Sequence, residues 1–463
     1  MQDDDKRGWL VPATASLALI PTAAGASGFA LLEQSASRLG TAFAGTAAAA
    51  DDATTIFFNP AGMTELSRPE GIISTSGIDI GSEFRNDSSM PAFAQPLGGN
   101  GGDAGDWNFV PAAYFALPAG DDLAFGIGVN APFGLKLVYD DDWIGRFQAL
   151  RSEISTLNIN PSVAYRIGRV SLGAGIDFQR LDAELTNAVN YSAVVAQGVQ
   201  QLVGAGQLQR ATGAAVVAAN AGLEGHARVR GDDDAWGFNL GALFELSDQT
   251  RLGLSYRSSI DYTVRATIAF TAPTGADPIA NGIITAASAP GAPLASSPVR
   301  VDLELPDSAT ASLEHRFGEK YALLADVAWT GWSSIQELRI VRDSATVVSV
   351  TPERWKDTWR YALGATYAMN DALKLRAGVA FDETPVPDET RTPRLPDTDR
   401  TWVALGARWQ PSPSLLMDFG YAHLFSDTVP LHQDAGNAAT SALLDGSQHS
   451  DIDIVSAQLV YRF

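Results

Sequence analysis

Residues suited to catalysis are few and scattered in this chain. The histidines are His226, His315, His423, His432 and His449, and none lies in a recognisable nucleophile setting. Lipid hydrolysis needs a serine paired with a histidine, so the sequence disfavours an enzyme. There is no cysteine, which excludes thiolate metal sites and a disulfide framework.

Acidic residues dominate the charge, with a net value of −21. Phosphates would repel such a chain, so nucleic acid is excluded as a partner. The runs Asp140–Asp142 and Asp232–Asp234 leave a calcium site open, because carboxylate oxygens are ligands that calcium prefers. No liganding spacing repeats, so solvated loop charge is the favoured interpretation, and neither a metal nor a cofactor is expected.

Past residue 70, apolar and polar residues alternate with a period of two. In the last segment the apolar positions are Val455, Ala457, Leu459, Tyr461 and Phe463, and residues 170–179, 359–368 and 373–382 alternate in the same way. The side chains on one face are apolar and often aromatic, and those on the other face are small, polar or charged. Such strands are typical of a barrel whose outer face meets lipid, although a β-sandwich with one face in water gives the same alternation.

Connection lengths separate these two folds, because short and long connections alternate along the whole series. We predict about fourteen strands, at 70–84, 108–117, 122–131, 151–166, 169–184, 228–246, 250–264, 299–316, 320–341, 356–369, 371–384, 399–410, 413–426 and 450–463. Tight turns at one end and long loops at the other are typical of an outer-membrane barrel. The predicted fold is therefore an all-β transmembrane barrel of antiparallel strands over residues 70–463, in the outer membrane of a Gram-negative bacterium, with long extracellular loops. Residues 192–223 are predicted to form one or two short helices in a loop.

The first 69 residues do not follow this pattern. Residues 1–26 resemble an export signal, with Lys6 and Arg7 before an apolar stretch and a small-x-small end, although a membrane anchor is the alternative. Residues 27–69, here called the hatch, are rich in alanine and glycine and carry several large apolar residues. We expect the hatch to plug the barrel as a partly helical segment, rather than to form a disordered periplasmic tail.

Several stretches resemble one family of barrels. These are SGFALLEQSASRLGTAFAG at 27–45, ADDATTIFFNPAGM at 50–63, WIGRFQALRSEISTLNINPSVAYRIG at 143–168 and DETPVPDETRTPRLPDTDR at 382–400. Together they are similar to the FadL/TodX-type outer-membrane transporters of long-chain fatty acids and other hydrophobic compounds. The resemblance implies a fourteen-stranded barrel with a hatch, an outer hydrophobic groove, an inner pocket and sideways exit at an inward kink of the third strand.

The implied lateral gate maps to the sequence LAFGIGVNAPFG. Its candidate residues are Gly128, Asn130, Pro132, Phe133 and Gly134. Proline cannot donate to the sheet ladder, and glycines weaken a strand locally. The alternative is a strand that simply ends at a Pro-Gly loop.

The resemblance also directs attention to residues along a ligand path. The hatch aromatics Phe29, Phe43, Phe57 and Phe58 are candidates for an apolar lining, against ordinary packing between plug and barrel. Lys136, Arg146 and Arg151 are candidates for binding a carboxylate head, against solvated or lipopolysaccharide-facing charge. The motif Asn59, Pro60 and Ala61 is expected to cap or turn the end of the hatch, with Asn59 bonding the barrel wall and coupling outer binding to the gate.

The function that follows is passive outer-membrane transport of long-chain fatty acids or related hydrophobic compounds. Expected partners are the hydrophobic molecule itself, lipopolysaccharide and outer-membrane lipid, and the barrel-assembly machinery. A general porin or a surface receptor without fatty-acid specificity is the alternative. Fatty-acid and aromatic-hydrocarbon carriers share these motifs, so the sequence leaves the cargo and the oligomeric state open.

Overall fold

A computed structural model describes residues 28–434 and 442–463, and the predicted signal peptide lies outside these ranges. The barrel strands are β1 Glu70–Asn86, β2 Trp107–Pro118, β3 Leu123–Asn130 and Gly134–Val138, β4 Arg151–Ile167, β5 Val170–Asn190, β6 Glu224–Ser247, β7 Thr250–Arg257 and Ile260–Thr271, β8 Ser297–Leu305 and Ser308–Phe317, β9 Tyr321–Thr330 and Glu337–Arg342, β10 Val347–Pro352 and Thr358–Asn370, β11 Leu373–Asp382, β12 Arg400–Ser412, β13 Leu415–Ser426 and Val429–Asp434, and β14 Leu443–Arg462.

Each strand pairs antiparallel with its neighbours in sequence, and the last pairs with the first. The closing ladder runs from Glu70 opposite Arg462 to Asn86 opposite Gly446. This pairing closes a barrel of fourteen antiparallel strands, as predicted. Closure leaves no long open edge, which a lipid environment would penalise by several kcal/mol for each unpaired backbone group.

The outer face of the barrel is apolar, as the alternation predicts. Large hydrophobic side chains exposed on the strands include Phe109, Ile127, Leu172, Ile176, Trp236, Leu363, Val379, Leu405, Phe419 and Tyr461. Their inward neighbours on the same strands are buried and smaller or polar. A continuous band of exposed apolar residues is stable in lipid and not in water.

Two helices occupy the loop between β5 and β6, where the sequence predicted them. They are α3 Tyr191–Gly204 and α4 Arg210–Ala219. A further helix, α5 Pro278–Ala287, lies in the next long loop and was not predicted. Within the described ranges, every helix is too short or too polar to cross a bilayer.

Some predicted strand ends are wrong. Strand β5 continues to Asn190 instead of ending at 184, β14 begins at Leu443 instead of 450, and the predicted connection 342–355 contains a strand segment. Within β5 the outward positions are already charged before residue 184, at Arg180 and Asp182. The hydrophobic alternation therefore stops before the strand does.

The described hatch residues, 28–69, lie inside the barrel. They form α1 Ala36–Leu39, α2 Thr55–Phe58 and a 3₁₀ turn Pro60–Glu65. Glycines on the inner wall allow a close approach, since an added Cβ at Gly173 would overlap the Pro60–Ala61 peptide and one at Gly378 would overlap the carbonyl of Thr41.

Buried ion pairs fix this segment to the wall. Arg408 lies 2.8 Å from Asp418 on the neighbouring strand and 2.6 Å from Asp52 of the hatch, and Arg376 lies 2.7 Å from Asp418. All four side chains are almost completely buried. Removing one partner would leave an uncompensated buried charge, so this cluster holds the lower hatch in place.

Candidate functional site

Strand β3 is interrupted at residues 131–133. Its lower segment pairs with β2 from Ala124 opposite Pro118 up to Val129 opposite Ala113. Its upper segment, Gly134–Val138, pairs with β4. No ladder between that upper segment and β2 is formed in the described structure, so the wall has a break beside Pro132, among the residues to which the resemblance assigns the lateral gate.

The first hatch residues fill this break. The Leu31 amide donates to the Pro132 carbonyl at 2.8 Å, and the Gly134 amide donates to the Phe29 carbonyl at 2.8 Å. Next to these bonds, the Gln34 side chain donates to the Ala131 carbonyl at 2.7 Å and accepts from the Ala131 amide at 3.3 Å. The hatch therefore supplies backbone partners that a neighbouring strand would supply elsewhere in the barrel.

The remaining gate candidates lie around the same break. Asn130 is buried and accepts from Asn158 of β4 at 3.2 Å. A Cβ added at Gly128 would press on the ring of Tyr114. The amide of Phe133 donates to Thr156 Oγ1 at 3.0 Å. These contacts hold the interrupted part of β3 in one conformation. Gating at this position stays a prediction.

An upper cavity of about 900 Å³ lies above the hatch. Its lining is mainly aliphatic with a few aromatic, polar and charged side chains, and its residues come from the barrel wall, the hatch and the loop between β11 and β12. The lining includes Phe29, Leu135, Ile154, Leu181, Ala183, Leu185, Val229, Val264, Val301, Leu303, Ile335, Leu338, Glu353, Trp355, Arg394 and Leu395.

Arg394 is the cation of the upper cavity. Its hydrogen bonds are long, at 3.4 Å to the Arg151 carbonyl and 3.3 Å to Ser152 Oγ. Burial lowers the pKa of its guanidinium to about 10, and the charge of Glu353 opposes that effect. Burial also raises the pKa of Glu353, to about 7. Arg394 therefore remains a cation at neutral pH.

A lower cavity of about 1070 Å³ lies between the hatch and the wall and reaches the break in β3. Its lining is partly apolar and partly polar. The apolar residues include Leu31, Leu32, Phe43, Phe57, Phe58, Pro132, Phe133 and Trp332. The polar residues, here called the polar side, include Arg257, Ser308, Thr310, Asp326, Thr330, Thr358, Arg360 and Asp382. Of the predicted lining residues, Phe43, Phe57 and Phe58 line this cavity and Phe29 lines the upper one.

Four aromatic rings form a partition between the two cavities. Phe29 lies 5.1 Å from Trp332, 5.9 Å from Trp355 and 5.9 Å from Phe133, measured between ring centroids. Trp332 and Trp355 are themselves 5.3 Å apart. Each ring comes from the hatch or from an interruption in β3, β9 or β10, so the partition rests on irregular segments rather than on rigid ladder.

The predicted basic residues lie outside both cavities. Lys136 faces Asp106 at 3.8 Å, and Arg151 pairs with the neighbouring Glu153. Arg146 is buried, and its guanidinium binds Glu224 at 2.7 Å together with three backbone carbonyls. These contacts give Arg146 a packing role, and ligand binding by any of the three stays a prediction.

The Asn59 side chain caps the 3₁₀ turn, as predicted. Its Oδ1 accepts from the Ala61 amide at 3.1 Å, while its Nδ2 donates to the Ala47 carbonyl at 2.6 Å and to the Ala242 carbonyl of β6 at 3.1 Å. Pro60 occupies the first position of the turn, where no amide donor is needed. The predicted bond to the barrel wall is therefore confirmed, and its role in coupling stays a prediction.

Sequence reasoning missed Gln34, Trp332, Trp355, Arg360 and Arg394. Arg394 lies in the stretch 382–400, which had a specific resemblance, and that resemblance was the signal available. The aspartate runs 140–142 and 232–234, which the sequence left open as calcium sites, line neither cavity. Asp232 instead lies 2.8 Å from Arg180. Contacts with lipopolysaccharide and the barrel-assembly machinery stay predictions.

Comparison with known proteins agrees with this geometry. Residues 17–463 match the family described as Outer membrane protein transport protein (OMPP1/FadL/TodX). The chain is 32% identical over 413 residues to a 47 kDa outer membrane protein of Pasteurella multocida, covering 88% of this chain and 90% of the relative. It is 29% identical over 437 residues to the long-chain fatty acid transport protein of Escherichia coli O6:H1, covering 93% and 94%.

Among solved structures, a Pseudomonas aeruginosa FadL homologue superposes with a TM-score of 0.82 at 26% identity, covering 95% of this chain and 100% of that chain. The shared architecture extends over the hatch and the barrel together. This chain therefore belongs to the OMPP1/FadL/TodX family of outer membrane transport proteins, and it is a transporter rather than an enzyme.

Proposed function

We propose that this chain carries long-chain fatty acids passively across the outer membrane. The cargo binds the upper cavity, passes the aromatic partition into the lower cavity, and leaves sideways through the break in β3. The observation that carries the proposal is an aliphatic cavity with one arginine, Arg394, whose hydrogen bonds to protein are long. An amphiphile with one anionic end and a long apolar tail matches both features.

The energetics favour a long tail. Each buried methylene contributes roughly 0.8 kcal/mol, so a tail of fatty-acid length gains on the order of 10 kcal/mol before ordering costs. A charge-assisted hydrogen bond from Arg394 adds specificity for a carboxylate. An aromatic hydrocarbon gains less apolar burial and offers no carboxylate to Arg394.

Entry begins, in this proposal, at an apolar groove between α3 and α4. Its lining is mainly Ala196, Val199, Val203, Gly213, Ala214 and Val217. These helices also pack on α5, through Val195 and Ile284 in a small core of their own. The groove is open to the outside and offers a first apolar surface to a greasy molecule.

Movement from one cavity to the other requires the partition to open. Phe29 is the movable member, because it lies on the segment that is tied to the β3 break mainly by backbone hydrogen bonds. Displacing that segment opens the partition and the break together. Support also comes from the Escherichia coli relative, whose name states long-chain fatty acid transport.

The test compares binding of palmitic acid, hexadecanol and toluene to the purified protein and to Arg394→Gln. Palmitic acid should bind most tightly, and Arg394→Gln should weaken it roughly tenfold or more while leaving hexadecanol unchanged. Arg300→Gln, on the outer face of β8, is a matched control because its side chain is exposed and lies 3.6 Å from Asp302.

Uptake in a Gram-negative host that lacks its own long-chain fatty acid transport protein completes the test. Palmitic acid uptake should depend on expression of this chain. Preferential binding of toluene, or palmitic acid uptake no higher than in the empty host, would show that fatty acids are not the cargo. Large steady ion conductance would instead favour a porin, since the hatch and partition must then leave a wet path.

A further inference from the structure

The lower cavity contains an arginine whose hydrogen-bonding capacity is incompletely used. Arg360 on β10 is buried and lines the polar side of this cavity. Its Nη2 donates to the Ala42 carbonyl of the hatch at 2.6 Å, while its Nε has no hydrogen-bond partner in the described structure. The Asp382 carboxylate is 3.9 Å from Nε, which is too far for a hydrogen bond.

The second arginine of the cavity is different. Arg257 donates to Asp177 at 2.9 Å and to the Phe57 carbonyl at 3.0 Å, and it covers the ring of Phe57. Its guanidinium donates to a carboxylate at hydrogen-bond distance. Arg360 is ion-paired with Asp382 only at 3.9 Å, and its Nε makes no hydrogen bond in the described structure. A buried guanidinium donor without a hydrogen-bond partner is costly unless a ligand binds it.

The surroundings of Arg360 match the head of an amphiphile. The hydroxyl-bearing residues Thr310, Thr330 and Thr358 line the same cavity as Phe57 and Phe58. A carboxylate bound by Arg360 can accept from these hydroxyls while its tail packs on the aromatic rings. A neutral hydrocarbon has no group for the Arg360 donor.

We infer that Arg360 forms a second carboxylate-binding station in the lower cavity, where a fatty acid rests before it leaves through the break in β3. This inference rests on the proposed function, since the acid must first cross the upper cavity. The station accepts the head as it leaves Arg394, so the anion is not left unpaired in an apolar passage. A buried carboxylate without a partner would be strongly disfavoured.

The test is photolabelling with two long-chain probes, one acid and one alcohol, that carry a diazirine beside the head group. In the wild-type protein, the acid should label residues of both cavities, with lower-cavity labels near Thr310 and Thr358. The alcohol should label that lower site less than the acid does. This comparison needs no variant, so it holds even where a substitution at position 360 prevents folding.

Arg360→Gln then separates head-group binding from support of the hatch. Labelling of the lower cavity by the acid should fall roughly tenfold, while its labelling of the upper cavity and all labelling by the alcohol persist. Arg360→Lys, which keeps a cation, should restore most of the acid labelling. An equal loss for acid and alcohol would mean that Arg360 only supports the hatch.

Two results overturn the inference and leave the proposed function standing. One is upper-cavity labelling by the acid without any lower-cavity labelling in the wild-type protein. The other is lower-cavity labelling by the acid that does not change in Arg360→Gln. Absence of labelling in both cavities would instead overturn the proposed function itself, so the two failures are distinguishable.

Discussion

Gln34→Ala is the sharpest perturbation of the proposed gate. The side-chain amide of Gln34 is buried and bonds both backbone groups of Ala131, at 2.7 Å and 3.3 Å. Alanine leaves the Ala131 amide and carbonyl without these partners while the kink is closed. A buried group left unpaired costs about 1–3 kcal/mol, and the longer of the two bonds contributes less.

The closed kink should therefore lose about 2 kcal/mol relative to an open state in which these groups find water. Since 1.4 kcal/mol corresponds to a tenfold change, the open population should rise roughly thirtyfold. The two backbone bonds of Leu31 and Gly134 remain, so the segment loosens rather than detaches. The barrel itself should remain folded.

Hydrogen exchange measures this change directly. The amides of Ala131 and Gly134 should exchange faster in Gln34→Ala by the same factor, and palmitic acid uptake should rise if opening limits passage. Gln448→Ala is the matched control, because Gln448 is an equally buried glutamine on β14 that bonds Ser82 of β1 at 3.0 Å rather than a residue of the β3 break. Unchanged exchange at Ala131 in Gln34→Ala would refute the idea that this side chain holds the kink closed.

The remaining predictions concern the upper cavity and the hatch. Burial lowers the pKa of Arg394 to about 10, so its guanidinium is charged below that pH. The affinity for palmitic acid should therefore fall as the pH rises through about 10, while the affinity for hexadecanol stays constant. Gly378→Ala should destabilise the folded protein by about 1–3 kcal/mol, because the new methyl group overlaps the backbone of Thr41. Thermal unfolding measures this loss, and Gly282→Ala is the control, because a Cβ at Gly282 meets open space. Asn59→Ala loses hydrogen bonds to the hatch and to β6, so it should slow uptake in a still-folded barrel, and normal uptake would remove Asn59 from the coupling.

The barrel could be predicted because lipid imposes a strict pattern on each strand. Where a strand crosses the apolar band, every second residue faces lipid, and positions such as Leu363 and Val379 show it directly. Above the band this constraint ends, as the charged Arg180 and Asp182 of β5 show, so the alternation no longer marks where a strand ends. The small inner residues were visible in sequence as well, and their cause is the close approach of the hatch to glycines such as Gly173.

The site could be predicted only in part, for a different reason. Pro132 and the glycines around it mark the kink locally, because backbone constraints are written in the residues themselves. Arg394 and Trp332 act through partners that are distant in sequence, so their roles depend on the assembled barrel. Lys136 and Arg146 show the converse, because nearness to the kink in sequence does not bring either side chain to a cavity.

The hatch has two halves that are held with very different strength. The lower half is fixed by the buried cluster of Arg408, Asp418 and Asp52, and breaking such a pair costs about 3–5 kcal/mol. The first residues are held by hydrogen bonds of roughly 1 kcal/mol each and by the packing of Phe29 and Leu31, with no buried ion pair among described residues 28–34. Conformational change should therefore concentrate in the upper half, which touches both cavities and the break.

The loop between β11 and β12 connects that upper half to the upper cavity. Its Asp397 accepts a hydrogen bond from the Gly28 amide at 2.9 Å, and its Arg394 faces the cavity three residues earlier. In the proposed mechanism, a carboxylate that draws Arg394 inward would also shift the loop that anchors the start of the hatch. Phe29 follows Gly28 directly, so such a shift would reach the residue that closes the partition. We therefore expect cargo binding and gate opening to be linked through this loop.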